Sequence, residues 1–203
     1  INLPNFDRFN KLSDMTSLWV DEHGEFIRLN YERGPLLYSL IAKYRPKTVL
    51  EFGTAKGYST LSMAWAMQDF DIPGTIYTID IIPTNKKQEV PINRGNKPEM
   101  KFLSVKEIWD EVAPSSWLQK IKPLTGFSAH IMRKTKLPRI DFAYIDGAHF
   151  YEGVQHDFFA FLEKANNEFG VLFDDYIERE QYGVKRFIDE SISKYFDVTL
   201  IDT

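Results

Sequence analysis

The stretch TVLEFGTAKGYSTLSMAWAMQ, residues 48–68, decides the fold. Its first six residues form a short apolar run that predicts a buried strand, and residues 58–68 predict a helix. Gly53 and Gly57 leave no side chain where the backbone turns from the strand into the helix, so a ligand can approach closely. The free N–H groups and the positive dipole end of the helix suit a carboxylate or a phosphate. The segment therefore predicts a ligand-binding turn.

Helix-like and strand-like segments alternate on both sides of this turn. Strands are predicted at 48–53, 75–80, 118–124, 140–146, 169–175 and 196–202. Helices are predicted at about 36–44, 58–68, 104–112, 128–134, 150–165 and 182–194. Residues 81–100, which are rich in proline, predict a long loop. Because strands alternate with helices, we expect an α/β fold with a doubly wound, mostly parallel sheet flanked by helices.

The composition excludes several classes of protein. The 203 residues suit one domain, and no linker divides residues 1–203. The absence of cysteine excludes a disulfide scaffold, Cys-ligated zinc and a cysteine nucleophile. A net charge of −4 without a basic block argues against binding nucleic acid. Apolar runs fall far short of the roughly 18 residues that cross a bilayer, and no signal-peptide pattern opens the chain, so we expect a cytoplasmic protein.

Acidic residues stand at the ends of three predicted strands. Asp80 ends the second strand, where an acid can accept two hydrogen bonds from a ribose diol. Asp146 ends the fourth strand, and Asp174 and Asp175 end the fifth. Three like charges at one edge of a sheet repel one another unless a cation or protons intervene. Hard oxygen ligands favour Mg²⁺, Mn²⁺ or Ca²⁺, so the sequence predicts a metal site beside a ribose site.

A histidine stands three residues beyond the first of these metal acids. His149 is a candidate general acid or base beside the metal, although a helix-start histidine without a role fits the same pattern. His156 lies seven residues further on, about 10 Å along a helix, which is too far to share one ion with His149.

These features together resemble the class I S-adenosylmethionine-dependent methyltransferases. More narrowly, they are similar to the small metal-dependent O-methyltransferases of the catechol O-methyltransferase type and to related bacterial sugar and antibiotic O-methyltransferases. The resemblance spans about residues 34–176. It rests on RGPLLYSLIAKYRPKTVLEFGTAKGYSTLSMA, where glycine, amphipathic helix, proline, strand and glycine turn come in the family's order. Within it, EFGTAKGYST (51–60) resembles the family's cofactor loop.

The resemblance implies a Rossmann-like sheet that binds S-adenosylmethionine. Asp80 would hold the ribose hydroxyls of the cofactor, and Ser128 in TGFSA would place a hydroxyl near the adenine. The methionine end of the cofactor would lie against Glu51, Gly53, Tyr58 and Ser59.

The resemblance also implies a divalent metal, Mg²⁺, on Asp146, Asp174 and Asp175. The third position is usually asparagine in catechol-type enzymes, and Asp175 here follows the sugar-modifying relatives. Those relatives place a general-base lysine three residues after the first metal aspartate, where this chain has His149.

The implied function is methyl transfer to a hydroxyl oxygen of a small hydroxylated acceptor. A metal that binds two neighbouring acceptor oxygens would lower the pKa of one and fix it in line with the methyl group. Residues 1–33, as an N-terminal cap, and residues 82–118, as an insertion over the active site, match no family element and would select the acceptor. They carry Trp19, Trp109 and Trp117, which wall a pocket or pack against the sheet.

The pattern of strands and acids is also compatible with different functions. A nicotinamide-dependent oxidoreductase would use the sheet and Asp80 equally well, although Ala55 breaks the G-x-G-x-x-G spacing of such enzymes. A non-catalytic cofactor-binding domain of the same fold and a hydroxylase-like activity fit as well, and the sequence is compatible with a homo-oligomer. The family's sheet adds a seventh, antiparallel strand that is not visible here, so we expect a chain that is clipped or that departs from the family at its C-terminus.

Overall fold

A computed structural model describes residues 6–95 and 97–201 of the chain. The strands are β1 Leu18–Val20, β2 Phe26–Arg28, β3 Thr48–Phe52, β4 Thr75–Asp80, β5 Lys87–Asn93, β6 Pro98–Ser104, β7 Ile121–Thr125, β8 Ile140–Ile145 and β9 Ala165–Phe173. The helices are α1 Phe6–Thr16, α2 Arg33–Tyr44, α3 Tyr58–Asp69, α4 Val105–Val112, α5 Ser115–Leu118, α6 Ser128–Lys134, α7 Tyr151–Leu162 and α8 Val184–Phe187, which continues into a π-helical turn, Ile188–Ile192.

Five strands form a parallel central sheet in the order β7-β4-β3-β8-β9. This arrangement confirms the predicted α/β fold. The central strand β3 is buried along its whole length, because strands pair with both of its edges and helices cover both of its faces. The chain leaves β3 for β4 on one side and later returns to β8 on the other. Ligands bind at such a switch point, outside the carboxyl ends of the strands.

Alternate residues of β3 enter two separate apolar cores. Val49 packs into the core that contains Phe9 and Trp65, whereas Leu50 and Phe52 pack into the core that contains Phe161. Helix α3 is buried on nearly all sides because α1, α2 and α5 surround it. Both faces of the sheet are therefore covered by helices, as the alternating pattern predicts.

Helix α4 begins with a capping box, for which Ser104 and Glu107 have the required spacing in the sequence. The backbone N–H of Glu107 donates to the Ser104 hydroxyl (3.2 Å), and the Glu107 carboxylate accepts from the Ser104 N–H (2.8 Å). Two free donors at the helix start are satisfied reciprocally, which fixes where α4 begins.

The predicted loop at 81–100 is wrong, because most of it belongs to an antiparallel hairpin. Strands β5 and β6 pair from Lys87↔Ser104 to Asn93↔Pro98. Val90 and Ile92 alternate along β5 and are buried against Met15 of α1 and Ile108 of α4. The prolines and charges of this segment conceal that period-two alternation. A second short hairpin, β1–β2, lies in the N-terminal segment.

The sixth predicted strand, 196–202, is also wrong over its described part. Residues 197–201 belong to no strand, and Asp202 lies outside the described residues. The run alternates as a strand does, but its apolar side chains are exposed, Leu200 to 68%. Without a neighbouring strand the backbone groups of such a run have no ladder to join, so the local pattern alone does not produce a strand. Among the described residues, the central sheet ends at β9.

The tryptophans of the two unmatched segments differ in their surroundings. Trp109 and Trp117 are buried in the core with α3, in agreement with a packing role, while Trp19 on β1 is half exposed. Among the described residues, no helix combines the length and the apolar character needed to cross a membrane.

Candidate functional site

Most of the residues predicted to carry function lie in segments at one edge of the central sheet. The turn 53–57 follows β3, residues 126–128 follow β7, residues 146–149 follow β8 and residues 174–175 follow β9, while Asp80 ends β4. Because all five strands run parallel, their carboxyl ends meet at this edge. The turn after β3 lies at its middle, with Asp80 on one side and the acidic residues on the other.

The two glycines of the turn make room for the protein's own atoms. Gly53 and Gly57 both have φ of +90°, a conformation that side chains disfavour. A Cβ on Gly53 would lie 2.1 Å from the carbonyl oxygen of Asp146, and one on Gly57 would lie 2.3 Å from Nε1 of Trp109. That indole donates to the carbonyl of Lys56 (2.9 Å). The glycines thus let the turn pack tightly against the loop after β8 and against α4.

Glu51 lies beneath the turn and is completely buried. Its carboxylate accepts hydrogen bonds from the hydroxyls of Ser59 (2.5 Å), Thr60 and Thr78 (2.5 Å). Burial raises the pKa of Glu51 to about 7 and outweighs these three donors, which favour the charged form. The carboxylate joins β3, β4 and the start of α3. Glu51 and Ser59 are therefore hydrogen-bonded to each other below the turn. They are two of the four residues predicted to lie at the methionine end of the cofactor.

Tyr58 packs against the segment that enters α2. Its side chain is buried, packs against the backbone of Gly34 and donates its hydroxyl to the carbonyl of Tyr31 (2.7 Å). This contact joins α3 to the segment that enters α2. Tyr58 therefore fixes one helix to the next.

Asp80 accepts hydrogen bonds from two backbone N–H groups. Oδ2 accepts from Ala55 of the turn and Oδ1 accepts from Ile82, both at 2.9 Å. Each carboxylate oxygen has a second lone pair, so the group can still accept from a diol. The side chains of Ile81 and Phe127, on neighbouring strand ends, are 62% and 75% exposed. A carboxylate at a strand end, with exposed apolar side chains on the adjoining residues, suits a nucleoside, with the base on the apolar surfaces and the sugar on the acid.

Sequence reasoning missed Ile81 and Phe127, although a signal was present. Both are large apolar residues that closely follow a strand end, where solvent-facing loops usually place polar residues. Ser128 lies next to Phe127, but its hydroxyl donates to Asp157 of α7 (2.5 Å). Burial raises the pKa of that carboxyl. Ser128 therefore holds α6 to α7.

The acidic residues after β8 and β9 come together, but not as a simple triad. Oδ2 of Asp146 accepts from Nη1 of Arg33 (2.8 Å), and Oδ2 of Asp174 contacts Nη2 of the same guanidinium. The Tyr144 hydroxyl lies 2.7 Å from the Asp174 oxygen and 3.2 Å from the Asp146 oxygen. Arg33 stands 113 residues from Asp146 along the chain, and no motif in the sequence predicts the pair.

His149 lies on the other side of Asp146. Its Nε2 is 3.1 Å from Oδ2 of Asp175 and 3.8 Å from Oδ1 of Asp146, and its ring stacks on Tyr182 at 5.0 Å. Interaction with the Asp146 carboxylate raises the pKa of the imidazole, partial burial opposes the shift, and the charge of Asp175 adds to it. Asp146, His149 and Asp175 each place one donor atom within 4.8 Å of the others.

The donor set at this end of the edge suits a hard divalent cation. The three carboxylates and the Arg33 guanidinium together carry a formal charge of −2 when His149 is neutral. Carboxylate oxygens are the ligands that Mg²⁺ and Mn²⁺ prefer. The edge therefore has a nucleoside-like end at Asp80 and an acidic end at Asp146, on opposite sides of β3.

Known proteins resemble this chain in sequence and in fold. The family described as a methyltransferase domain matches residues 50–176, more than half of the chain. No curated protein matches the sequence. Among solved structures, the fold is similar to that of the O-methyltransferase TomG from Streptomyces achromogenes, involved in tomaymycin synthesis and bound to SAM. The TM-score is 0.66 at 16% identity, with 97% of this chain and 82% of that chain covered.

Two further structures have the same fold. An O-methyltransferase from Bacillus cereus in complex with SAH gives a TM-score of 0.63 at 14% identity, over 95% of this chain and 82% of that one. The SAH-bound methyltransferase PaMTH1 from Podospora anserina gives 0.56 at 15% identity, over 84% and 62%. The parallel sheet flanked by helices is thus the α/β fold of these methyltransferase structures. The family match makes the assignment plain, and this chain belongs to the methyltransferase domain family.

The buried Glu51 makes the stability of the fold depend on pH. Its pKa is about 7 in the folded chain and near 4.5 when exposed, so the folded state binds the proton more tightly. The stabilisation from this proton is complete below pH 4.5 and is lost as the pH rises through about 7, a loss of about 3 kcal/mol. We expect Glu51→Gln, which is neutral and similar in size, to remove this loss.

Urea unfolding at pH 5 and pH 8 measures the effect. The free energy of unfolding of E51Q relative to the unchanged chain should rise by most of this amount, about 2 to 3 kcal/mol, between the two pH values. Glu168→Gln, an exposed position on β9, is the matched control and should leave the profile unchanged. An E51Q profile parallel to that of the unchanged chain would show that the carboxyl does not titrate differently on folding.

Proposed function

We propose that this methyltransferase uses S-adenosylmethionine and methylates a hydroxyl oxygen of a small hydroxylated molecule. The observation that carries the proposal is the division of the edge into two ends. A carboxylate flanked by exposed apolar side chains lies on one side of the glycine turn, and a compensated acidic cluster with a histidine lies on the other. Solved proteins of the same fold carry SAM or SAH by their descriptions, and two of them are O-methyltransferases.

The nucleoside end would hold the adenosine part of the cofactor. Asp80 accepts the ribose hydroxyls with the lone pairs that Ala55 and Ile82 leave free. Ile81 and Phe127 offer apolar surface to the adenine. Gly53 lets the turn approach the Asp146 loop, so that the cofactor and acceptor ends lie side by side. The side chains that support these surfaces from below and behind are Glu51, Tyr58, Ser59 and Ser128.

The acidic end would receive the acceptor. The cofactor supplies a methyl group on a sulfonium sulfur, whose positive charge disappears when the acceptor oxygen takes the methyl group. The acceptor hydroxyl must lose its proton in that step, and His149 would accept it at Nδ1, because its Nε2 faces the Asp175 and Asp146 carboxylates. Asp175, 3.1 Å from Nε2, would stabilise the protonated imidazole. Stacking on Tyr182 fixes the plane of the ring.

A divalent cation, Mg²⁺, is part of the same proposal. Asp146, Asp174 and Asp175 would hold it, and the cation would lower the pKa of a neighbouring acceptor hydroxyl. The residual negative charge at this end supports the assignment. Acceptors with two neighbouring oxygens, such as catechols and sugars, would suit a cation that prefers oxygen ligands.

Cofactor choice is tested by isothermal titration calorimetry. S-adenosylmethionine should bind, and Asp80→Ala should weaken it by about 10- to 100-fold, because hydrogen bonds to a charged acceptor contribute about 1.5–3 kcal/mol each. Asp110→Ala on the surface of α4 is the matched control. Heat with NAD and none with S-adenosylmethionine would instead favour a nicotinamide-dependent oxidoreductase.

The role of His149 is tested by methyl transfer from radiolabelled cofactor to catechol, caffeate and free sugars. We expect His149→Gln to lower the rate constant about 100-fold or more, as the loss of a general base does, with unchanged cofactor affinity. His156→Gln, exposed on the surface of α7, should keep full activity. An H149Q variant with the same rate would contradict the assignment of His149 as the base.

Metal dependence is tested by chelation. Dialysis against EDTA should reduce methyl transfer at least about tenfold, and added Mg²⁺ should restore it, because the cation lowers the pKa of the acceptor hydroxyl. EDTA saturated beforehand with Mg²⁺ is the control for effects of the chelator itself. Undiminished turnover in EDTA would rule out the cation while leaving the methyltransferase proposal in place.

A further inference from the structure

Arg33, the first residue of α2, places its guanidinium between two of the acidic residues. Nη1 donates to Oδ2 of Asp146 (2.8 Å), and Nη2 contacts Oδ2 of Asp174. The Tyr144 ring lies beneath the guanidinium, with its centroid 5.7 Å from Cζ, and its hydroxyl reaches the same two oxygens. All three charged side chains are mostly buried. Two carboxylates that would otherwise repel are held together by one arginine.

The guanidinium contacts the two aspartates through its terminal nitrogens, Nη1 and Nη2. Its Nε atom is buried and has no hydrogen-bond partner among the described residues. An arginine in water satisfies all five of its N–H donors, so leaving the cluster returns one hydrogen bond that the cluster does not provide. The side chain also lines an open groove. A buried Nε without a partner among the described residues and open space beside the side chain both favour an arginine that can leave the cluster.

Arg33 contacts carboxylate groups that are proposed to bind the divalent cation. Both guanidinium contacts use the Oδ2 atoms of Asp146 and Asp174. Two cations within a few ångströms of each other repel, and the repulsion is stronger in a mostly buried site than in water. The guanidinium and a divalent cation cannot both bind these carboxylates at full strength.

We infer that Arg33 is an internal competitor for the divalent cation, exchanging with it at Asp146 and Asp174. The inference rests on the cation site of the proposed function and assigns a further residue to it. Arg33 is a positioning residue. It holds Asp146 and Asp174 together when no cation is bound. It also lowers the affinity of the site for the cation, so that a higher concentration of free cation is needed to occupy it.

Binding of Mn²⁺, measured from the electron paramagnetic resonance signal of the free ion, tests this directly on the whole chain. Arg33→Met and Arg33→Gln should bind Mn²⁺ about tenfold or more tightly than the unchanged protein, because the competing charge is gone. Arg33→Lys keeps the charge and should stay within about threefold. Arg94→Met removes an exposed arginine–carboxylate pair with Glu111 and should change nothing.

Thermal unfolding supplies the second readout. In EDTA the neutral variants should melt below the unchanged protein, because the carboxylates lose the guanidinium that bridges them, and Mn²⁺ should raise their Tm by more. R33Q keeps a polar side chain with an N–H donor at this position, so it remains informative where R33M does not fold.

The two proposals fail in different ways. Mn²⁺ affinity that is equal or weaker in R33M and R33Q overturns the competitor role of Arg33, as does the absence of Mn²⁺ binding by every variant at millimolar ion. Cofactor binding, measured separately by calorimetry in EDTA, decides the methyltransferase proposal and leaves the Arg33 result standing on the Mn²⁺ series.

Discussion

The hydrogen bonding of one buried carboxylate holds the functional edge in place. Glu51 is the fourth residue of the fully buried strand β3. Its two carboxylate oxygens accept hydrogen bonds from the hydroxyls of Ser59, Thr60 and Thr78. These bonds fix the start of α3 and the neighbouring strand relative to β3. The position of the turn between β3 and α3 is thereby fixed. Gly53 lets this turn pack against the Asp146 loop without a clash. Burying an acid is costly, and the raised pKa of Glu51 records that cost.

Charge compensation is the second constraint on the edge. Parallel strands deliver Asp146, Asp174 and Asp175 to the same place, and their mutual repulsion must be offset for the fold to keep them there. Arg33 offsets it for the first two, and His149 lies against the third. The acidic end is thus assembled by the fold itself.

Sequence reasoning was most reliable where burial is continuous along one element. The run at 48–53 and the helix after it are apolar enough to be identified without any tertiary information, and the capping box at Ser104 is a local hydrogen-bond pattern. The hairpin β5–β6 was missed because its burial depends on α1 and α4, whose packing against it no local pattern shows. The run at 196–202 shows the opposite error, a strand that was predicted but does not form over the described residues. Its apolar residues alternate as in a strand, but no neighbouring strand pairs with it there.

The sequence by itself determined the alternating fold, the order of strand ends and the residue types at each end, because periodicity and turn chemistry are local properties. It therefore placed Asp80 and the later aspartates at one edge. The tertiary structure alone decided which atoms they meet. Arg33 reaches Asp146 across more than a hundred residues, and the segment that carries Phe127 comes close to Asp80 because β4 and β7 are neighbours in the sheet. Side-chain partners across distant strands depend on packing and register, which no local pattern encodes.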